Sequence, residues 1–140
     1  MMLSNKKIIS IVDDDNNTSN LFHIVLSEVF ASYEFFSFND PMSALEHFTE
    51  NQNDYAMVIT DLIMAGLNGL ELLSKIKNAN PNVRSIVISG FGHENQMFRD
   101  CMQLGIINST IEKPVAINLL CERIRNELEI YQSAKMGKRN

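Results

Sequence analysis

The amino-acid sequence predicts a three-layer α/β fold, a doubly wound five-stranded parallel sheet covered by helices on both faces. Five short apolar runs alternate with five segments of helical periodicity. The 140 residues suit one domain with a single core, and no internal repeat or linker interrupts them. Alternating strands and helices imply right-handed crossovers and parallel strands, and because parallel strands run in the same direction, their carboxyl ends should share one edge.

The predicted strands are short and apolar, and they lie at residues 8–12, 33–38, 57–60 and 85–89, with a weaker one around Thr110 and Ile111. The third strand ends at Asp61. Gly66 and Gly69 allow unusual backbone conformations in the loop after it. This stretch therefore reads as a strand that stops at a carboxylate, followed by a turn into a helix.

The helices between the strands carry recognisable ends. Asp40 followed by Pro41 is a strong start signal for the second helix, and Asn80 before Pro81 predicts the end of the third. Thr18 or Ser19 is expected to cap the first helix. The last helix has an apolar face made of Ile117, Leu120, Cys121, Ile124, Leu128 and Tyr131. Its charged residues, which include Glu122, Arg123, Arg125, Glu127 and Glu129, are expected to face solvent.

Composition excludes several classes of protein. A net charge of −5 and a pI near 5.1 argue against a general nucleic-acid-binding surface. No apolar run approaches the roughly 18 residues that span a bilayer, and the first seven residues lack the apolar core of a signal peptide, so we expect a cytoplasmic protein. Cys101 and Cys121 are expected in the core, and His23, His47 and His93 form no zinc-binding pattern.

Polar and charged residues occur where four predicted strands end: Asp13 and Asp14, Asp61, Ser89, and Lys113. Each alone has an ordinary explanation, and Asp61 by itself is more typical of a cap for the following helix. Open α/β sheets, however, bind ligands at the carboxyl ends of their strands. The convergence of all five residues on that edge favours a functional site.

The charges predict the chemistry of this site. Two carboxylates about 4 Å apart repel by roughly 4 kcal/mol at an effective dielectric constant near 20, and here three are expected to crowd together. Either a shared proton or a hard divalent cation must compensate, and an all-oxygen cluster suits Mg²⁺. With a lysine and a hydroxyl nearby, Asp61 could act as the nucleophile of a phosphoryl-transfer site.

The sequence resembles the receiver domain of bacterial and archaeal two-component response regulators. The matching motifs agree in order and spacing over about residues 6–130: Asp13-Asp14, Asp61 with Met64 and Gly66-Leu67-Asn68-Gly69, Ser89, and Lys113-Pro114. The resemblance implies a flavodoxin-like receiver fold of the CheY-like superfamily, with strand order 2-1-3-4-5. It places the site between strands one and three.

By that resemblance, Asp61 accepts a phosphoryl group from a histidine kinase or a phosphotransfer protein. Asp14, Asp61 and the backbone carbonyl of Ile63 would bind Mg²⁺, and Asp13 would hold the metal through water. The residues that would contact the phosphoryl group are Ser89 and Lys113. The phosphorylated chain would then signal to a downstream protein by a conformational change.

The sequence departs from the family pattern at informative positions. Ala65 and Gly90 replace the usual proline and alanine. Thr110 stands where a switch aromatic is normal, and no aromatic residue occurs from Arg99 through Glu129. Signal transmission should therefore run through backbone shifts around the switch positions, Ser89 and Thr110. Two large apolar residues on the expected path of attacking water predict slow self-hydrolysis: Ile63 and Phe91.

The resemblance also predicts the domain limits of the chain and the kinds of partner that it binds. We expect a receiver domain over 6–130 and, over 131–140, the end of the last helix and a frayed basic tail with Lys135, Lys138 and Arg139. No effector domain, nucleic-acid binding or membrane binding is expected of this chain, which is either stand-alone or part of a longer protein. A dimer through helix four, strand five and helix five is compatible with the resemblance.

Other functions need residues that the sequence lacks. A haloacid-dehalogenase-type phosphatase requires a second Asp where Ile63 stands, and no GxxxxGK[ST] motif of a P-loop enzyme occurs. No enzymatic activity is expected beyond self-phosphorylation and slow dephosphorylation. The alternative left open is a phosphorylation-independent docking module, although such a module usually lacks a site residue and all five are present.

Overall fold

The computed structural model describes residues 6–90 and 95–137, apart from the side chains of Asn16, Thr18 and Ser19. Five parallel strands form one sheet in the order β2-β1-β3-β4-β5. The strands are β1 Lys7–Val12, β2 Tyr33–Phe38, β3 Tyr55–Asp61, β4 Arg84–Ser89 and β5 Ser109–Glu112. The predicted fold class and strand order are confirmed.

Four helices connect the strands and a fifth follows β5: α1 Asn16–Val29, α2 Pro41–Glu50, α3 Gly69–Ala79, α4 Gln96–Gln103 and α5 Ile117–Gly137. A short 3₁₀ helix, Gln52–Asp54, precedes β3. Among the described helices, none combines the length and apolar character needed to cross a bilayer.

The core lies in two layers, one on each face of the sheet. On one face, Leu26 of α1 and Leu120 of α5 pack with strand residues such as Ile59. On the other, α2, α3 and α4 cover a separate apolar cluster that includes Phe48 and Leu73. All seven residues of β3 are buried, because this central strand has neighbours on both edges and helices on both faces. A rigid central strand therefore leads directly to Asp61.

Helix capping agrees with the sequence at α2 and differs at α1. The Asp40 carboxylate accepts hydrogen bonds from the backbone N–H groups of Met42 and Ser43, so this start signal is confirmed. Helix α1 begins at Asn16, earlier than the caps predicted at Thr18 or Ser19. The Asp15 carboxylate accepts a hydrogen bond from the N–H of Asn17, which explains the earlier start.

The last helix is longer than its apolar pattern indicates. It continues past Tyr131 to Gly137, and the ammonium of Lys135 lies 5.5 Å from the centroid of the Tyr131 ring. Lys135 thus belongs to the last turns of the helix, which this cation–π contact supports, and the expected fraying of the tail stays a prediction. Lys138 and Arg139 lie outside the described residues.

Glu127 contradicts the expectation that the charged face of α5 is solvated. Its side chain is buried and accepts hydrogen bonds from the Arg84 guanidinium, at 2.8 Å, and from the Ser109 hydroxyl. The periodicity of α5 places Glu127 beside the apolar stripe, where partners on β4 and β5 can reach it. This ion pair joins three elements at the end of the sheet where β4 and β5 begin.

Removal of the Glu127 carboxylate should destabilise the fold. Glu127→Ala leaves Arg84 without its partner in a largely buried position, so we expect the free energy of unfolding to fall by about 2–3 kcal/mol. Glu129→Ala, at an exposed position of the same helix, should change it by less than about 0.5 kcal/mol. Urea unfolding measures both, and equal effects would contradict a specific role for the buried pair.

Candidate functional site

The candidate site lies at the carboxyl ends of β1 and β3, which are adjacent in the sheet. Asp13 follows β1, and its backbone N–H donates to the carbonyl of Phe38 at 3.0 Å. Asp61 is the last residue of β3, and the next N–H, that of Leu62, donates to the carbonyl of Ile88 at 3.0 Å. Because the chain runs from β1 to β2 on one side and β3 on the other, a crevice opens between them. The backbone thus holds both carboxylates at its mouth.

The loop between Asp61 and α3 is held by the capping residues at the start of α3 and by close packing of Gly69 on β3. Asn68, not Asp61, caps α3: its side chain accepts from the N–H of Glu71, and the Glu71 carboxylate accepts from the N–H of Asn68. The ordinary reading of Asp61 as the helix cap is therefore wrong. Gly69 packs so closely on β3 that a Cβ there would collide with the backbone carbonyl of Asp61. A glycine at this position allows α3 to start directly beneath the carboxylate.

Three carboxylates gather in the crevice. Asp13, Asp14 and Asp61 each offer one oxygen, and these oxygens lie within 4.8 Å of one another. Asp13 and Asp61 are each 5% exposed, whereas Asp14 is exposed. The crevice has a volume of about 610 Å³ and opens to solvent. An all-oxygen donor set with one solvent-facing member fits a hard cation that keeps some of its waters, as Mg²⁺ does.

Lys113 brings a positive charge to this cluster. Its ammonium lies 3.0 Å from Asp61 Oδ1 and 3.1 Å from Oδ2. The Lys113 backbone N–H donates to the carbonyl of Ser89 at 2.9 Å, and the peptide bond to Pro114 is cis. These contacts tie the end of β5 to the end of β4 and aim the lysine at Asp61.

The charges of the cluster act on one another. Burial raises the pKa of Asp13; the Asp15 N–H and Lys113 oppose this shift, and the charges of Asp61 and Asp14 add to it. For Lys113, burial lowers the pKa, but its hydrogen bond and attraction to Asp61, together with Asp13 and Asp14, outweigh burial, so the net pKa is raised. One lysine therefore compensates only part of the negative charge of three carboxylates.

The structure separates the predicted site residues into two groups. Asp13, Asp14, Asp61 and Lys113 line the crevice. Ser89 is buried at the end of β4, where it pairs with Glu112, and it does not line the crevice directly.

The remaining described positions, Thr110 and Ile63, do not line the crevice either. Thr110 is half-buried within β5, opposite Val87, and its carbonyl accepts a hydrogen bond from the Arg123 guanidinium at 2.8 Å. The side chain of Ile63 is 57% exposed. Phe91 and His93 lie outside the described residues, so the expectation of slow self-hydrolysis stays a prediction.

The described histidines and both cysteines lie away from the carboxylates. His23 hydrogen-bonds the Ser37 hydroxyl, and His47 hydrogen-bonds the Tyr55 hydroxyl. Cys101 and Cys121 are buried in the core, as predicted.

Sequence reasoning did not identify the apolar wall of the crevice. Leu21 of α1 is 59% exposed there, and Phe22, Ile88 and Val115 contribute to the same wall. The available signal was the position of Leu21 on the helix, one residue before the buried Phe22 and outside the apolar stripe.

Fold and site together define a doubly wound, flavodoxin-like α/β protein with an acidic crevice and a facing lysine at its topological switch point. The family described as response regulator receiver domain matches residues 9–125. The chain therefore belongs to the receiver domain family of two-component systems, a family of signalling domains.

Individual relatives agree with this assignment. Sporulation initiation phosphotransferase F of Bacillus subtilis (strain 168) is 28% identical over 130 residues, which cover 91% of this chain and 98% of that protein. A receiver domain structure from Clostridium thermocellum is similar with a TM-score of 0.79 at 25% identity, covering 91% of this chain and 98% of the other. NtrX from Brucella abortus, solved with ADP, is 27% identical with a TM-score of 0.78; the match covers 95% of this chain and 29% of NtrX.

Neutralising one carboxylate should stabilise the metal-free protein. The pKa of Asp13 is raised above its ordinary 3.8, so the folded protein favours the protonated form of this carboxyl group. The stability gained from that proton is fully present below pH 3.8 and is lost as the pH rises through the raised pKa, where Asp13 becomes charged. At pH 7 we expect Asp13→Asn to increase the free energy of unfolding by about 1 kcal/mol, since Lys113 already offsets part of a repulsion of about 3 kcal/mol per pair.

Chemical denaturation in EDTA tests this expectation, with Glu112→Gln as a control for loss of an exposed negative charge outside the crevice. Millimolar Mg²⁺ should stabilise the wild type and have a smaller effect on Asp13→Asn. A destabilised Asp13→Asn in EDTA would show that the carboxylates do not strain one another.

Proposed function

We propose that this chain is a phosphoacceptor receiver that takes a phosphoryl group onto Asp61 and passes the signal to a protein partner. The observation that carries this proposal is the arrangement around Asp61: a buried carboxylate at a strand end, both of its oxygens close to Lys113, and two further carboxylates within 4.8 Å. A structural aspartate would need neither the additional negative charges nor the open crevice.

The metal-binding role falls to the carboxylates that line the crevice. Asp14 and Asp61, with the backbone carbonyl of Ile63, would hold Mg²⁺, and Asp13 would hold it through water. When bound, the metal supplies positive charge that offsets the carboxylates and the transferred phosphoryl oxygens.

The transfer itself requires few protein groups. One Asp61 oxygen forms a bond to phosphorus while the bond from phosphorus to the nitrogen of the donor phosphohistidine breaks, and the imidazole leaves with the electron pair. Lys113 lies near enough to exchange its contact with Asp61 for a contact with the phosphoryl group. Ser89, at the end of the adjacent strand, would donate a hydrogen bond once the β4 end adjusts. No general base is needed, because the nucleophile is already ionised.

The proposed partners follow from the chemistry. A histidine kinase or a phosphotransfer protein would donate the phosphoryl group in the cytoplasm, with residues 6–130 acting as the receiver unit. The downstream partner is a protein of unknown identity. A dimer through α4, β5 and α5 is also proposed, since this surface carries three exposed apolar side chains: Met97, Met102 and Leu119.

Phosphorylation should require the carboxylate of Asp61 as the acceptor and should be accelerated by Lys113. With acetyl phosphate and Mg²⁺, we expect the wild type to gain the mass of one phosphoryl group, and Asp61→Asn to gain none, because an amide oxygen is a poor nucleophile. Lys113→Ala should slow the reaction by about 10²-fold through loss of charge stabilisation. Asp54→Asn serves as the control and should react like the wild type, because Asp54 is exposed and precedes β3, at the end of the sheet where the strands begin.

Intact-mass spectrometry with acid-sensitive controls measures these adducts. A wild type that stays unmodified under conditions that phosphorylate other receivers would favour the alternative, a docking module that works without phosphorylation.

We further propose that β5 carries the signal in the absence of a switch aromatic. Ser89 and Lys113 are joined through backbone contacts, and the carbonyl of Thr110 is held by Arg123 of α5. A movement of the β4 end toward the phosphoryl group would therefore pull on β5, and Arg123 would convey that movement to α5.

Nuclear magnetic resonance can follow this relay. Addition of Mg²⁺ and beryllofluoride, a phosphoryl mimic, should shift the amide signals of α4 and α5, and Arg123→Ala should reduce the shifts in α5. Glu122→Ala, at an exposed neighbouring position, should leave them unchanged. The proposal fails if the mimic binds and no amide of α4 or α5 responds.

A further inference from the structure

The crevice around Asp61 has an apolar wall that the phosphoryl chemistry does not use. The wall consists of Leu21 and Phe22 on α1, Ile88 near the end of β4, and Val115 in the loop between β5 and α5. Phosphoryl transfer relies on charged groups, which are the nucleophile, the metal and the cation that faces the phosphoryl oxygens. An apolar surface in the same crevice therefore needs a separate explanation.

The wall runs from the interior of the fold to its surface. Ile88 and Phe22 are 4% and 7% exposed, so they lie at the floor of the crevice, as does the buried Asp61. Val115 is half-buried and Leu21 is 59% exposed, so these two side chains lie toward the opening. Leu21 thus leaves most of its apolar surface free for a ligand in the crevice.

The direction of attack links this wall to the leaving group of the phosphodonor. In phosphoryl transfer the attacking and leaving atoms lie roughly in line, on opposite sides of phosphorus. Asp61 is at the inner end of the crevice, and both of its oxygens are close to Lys113, so the leaving group has to point toward the opening. The part of the donor beyond the phosphoryl group would therefore lie against Leu21 and Val115.

We propose that the apolar wall binds the acyl chain of a small acyl phosphate that donates its phosphoryl group directly to Asp61, and that it favours chains longer than acetyl. This inference rests on the proposed function of Asp61 and adds a second class of donor to the protein phosphohistidine. Lys113 recognises the phosphoryl end, and the wall removes the methylene groups of the chain from water. Leu21 is then a residue that determines donor specificity.

The transfer balances with the donor alone. One Asp61 oxygen forms a bond to phosphorus while the bond from phosphorus to the bridging oxygen of the donor breaks. The released carboxylate leaves with the electron pair, and no proton is transferred. Because Asp13 and Asp14 are also carboxylates, their charges would repel the released group and favour its departure.

The rates of phosphorylation by acetyl phosphate and butyryl phosphate test this proposal. The protein is incubated with each donor and Mg²⁺, and the phosphoryl adduct is followed by intact-mass spectrometry to give a second-order rate constant. Both donors release a carboxylate of nearly equal acidity, so a difference between the rate constants reports how the chain is bound. Complete transfer of two methylene groups out of water would raise the rate constant about fifteenfold, and against a wall that is partly open to solvent we expect about fivefold.

Matched variants on α1 connect this preference to the wall. Leu21→Ala removes apolar surface at the opening and should reduce the ratio of the two rate constants to about two or less. Ile24→Ala is the control, since Ile24 is 62% exposed on the same helix but lies outside the lining of the crevice, and the ratio should keep its wild-type value. Val115→Ala should also lower the ratio, which separates loss of the wall from a local change in α1.

A binding measurement locates the chain without any reaction. Butylphosphonate and methylphosphonate cannot transfer a phosphoryl group, because carbon replaces the bridging oxygen. In the presence of Mg²⁺, butylphosphonate should shift the methyl signals of Leu21 and Val115 in nuclear magnetic resonance spectra, and methylphosphonate should shift them much less. The methyl signals of Ile24 should respond to neither compound.

The outcomes separate this inference from the proposed function. Equal rate constants for the two donors, with one adduct on Asp61 from each, would overturn the selection of the acyl chain and leave the wall to an apolar side chain of a protein donor. A preference that persists in Leu21→Ala would overturn the role of the wall. Absence of an adduct from either donor would contradict the proposed function as well.

Discussion

Three carboxylates lie together at the carboxyl edge of the sheet, and their mutual repulsion is the constraint on which the account depends. Asp13 and Asp61 are almost fully buried, and Lys113 supplies one positive charge to the cluster. Such an arrangement costs stability unless a cation or a phosphoryl-bound metal compensates it. In the function that we propose, the same charges offset this cost, because they would bind a cation beside the carboxylate that accepts the phosphoryl group.

The rest of the fold holds this unfavourable arrangement in place. Strand β3 is buried along its whole length, so Asp61 cannot retreat into solvent without disrupting the centre of the sheet. Gly69 brings α3 against the backbone of Asp61, and the bond from Lys113 to the Ser89 carbonyl links the fifth strand to the fourth. The core thus supplies the stability that the crowded carboxylates give up, and it fixes the distances between them.

Much of this arrangement could be predicted from sequence because strand ends are easy to locate. Asp61 and Ser89 each end a run of apolar residues, and in a parallel sheet such positions share an edge. Lys113 was placed by the same argument, although its strand has only four residues. The metal ligands, the phosphoryl contacts and the domain limits stay predictions, since they depend on a bound state.

Other features could not be predicted, for reasons that are also physical. Glu127 follows the charged pattern of α5, yet its burial depends on Arg84 and Ser109, which are distant in sequence. The start of α1 depends on Asp15, one of three consecutive aspartates with no local signal to distinguish a cap from a site residue. Lys77 and Lys75 look alike in sequence, yet Lys77 is half-buried and donates a hydrogen bond to Asn108, which is distant in sequence, whereas Lys75 is exposed.

The central claim is that the phosphoryl group is accepted by the carboxylate of Asp61. Borohydride reduction of the phosphorylated protein tests it directly, because an acyl phosphate is reduced to an alcohol while a phosphate ester or an unmodified carboxylate is not. We predict that peptide sequencing will find homoserine at position 61 and unmodified aspartate at positions 13 and 14. Homoserine at either of those positions, or a phosphoryl group that survives reduction on another side chain, would contradict the account.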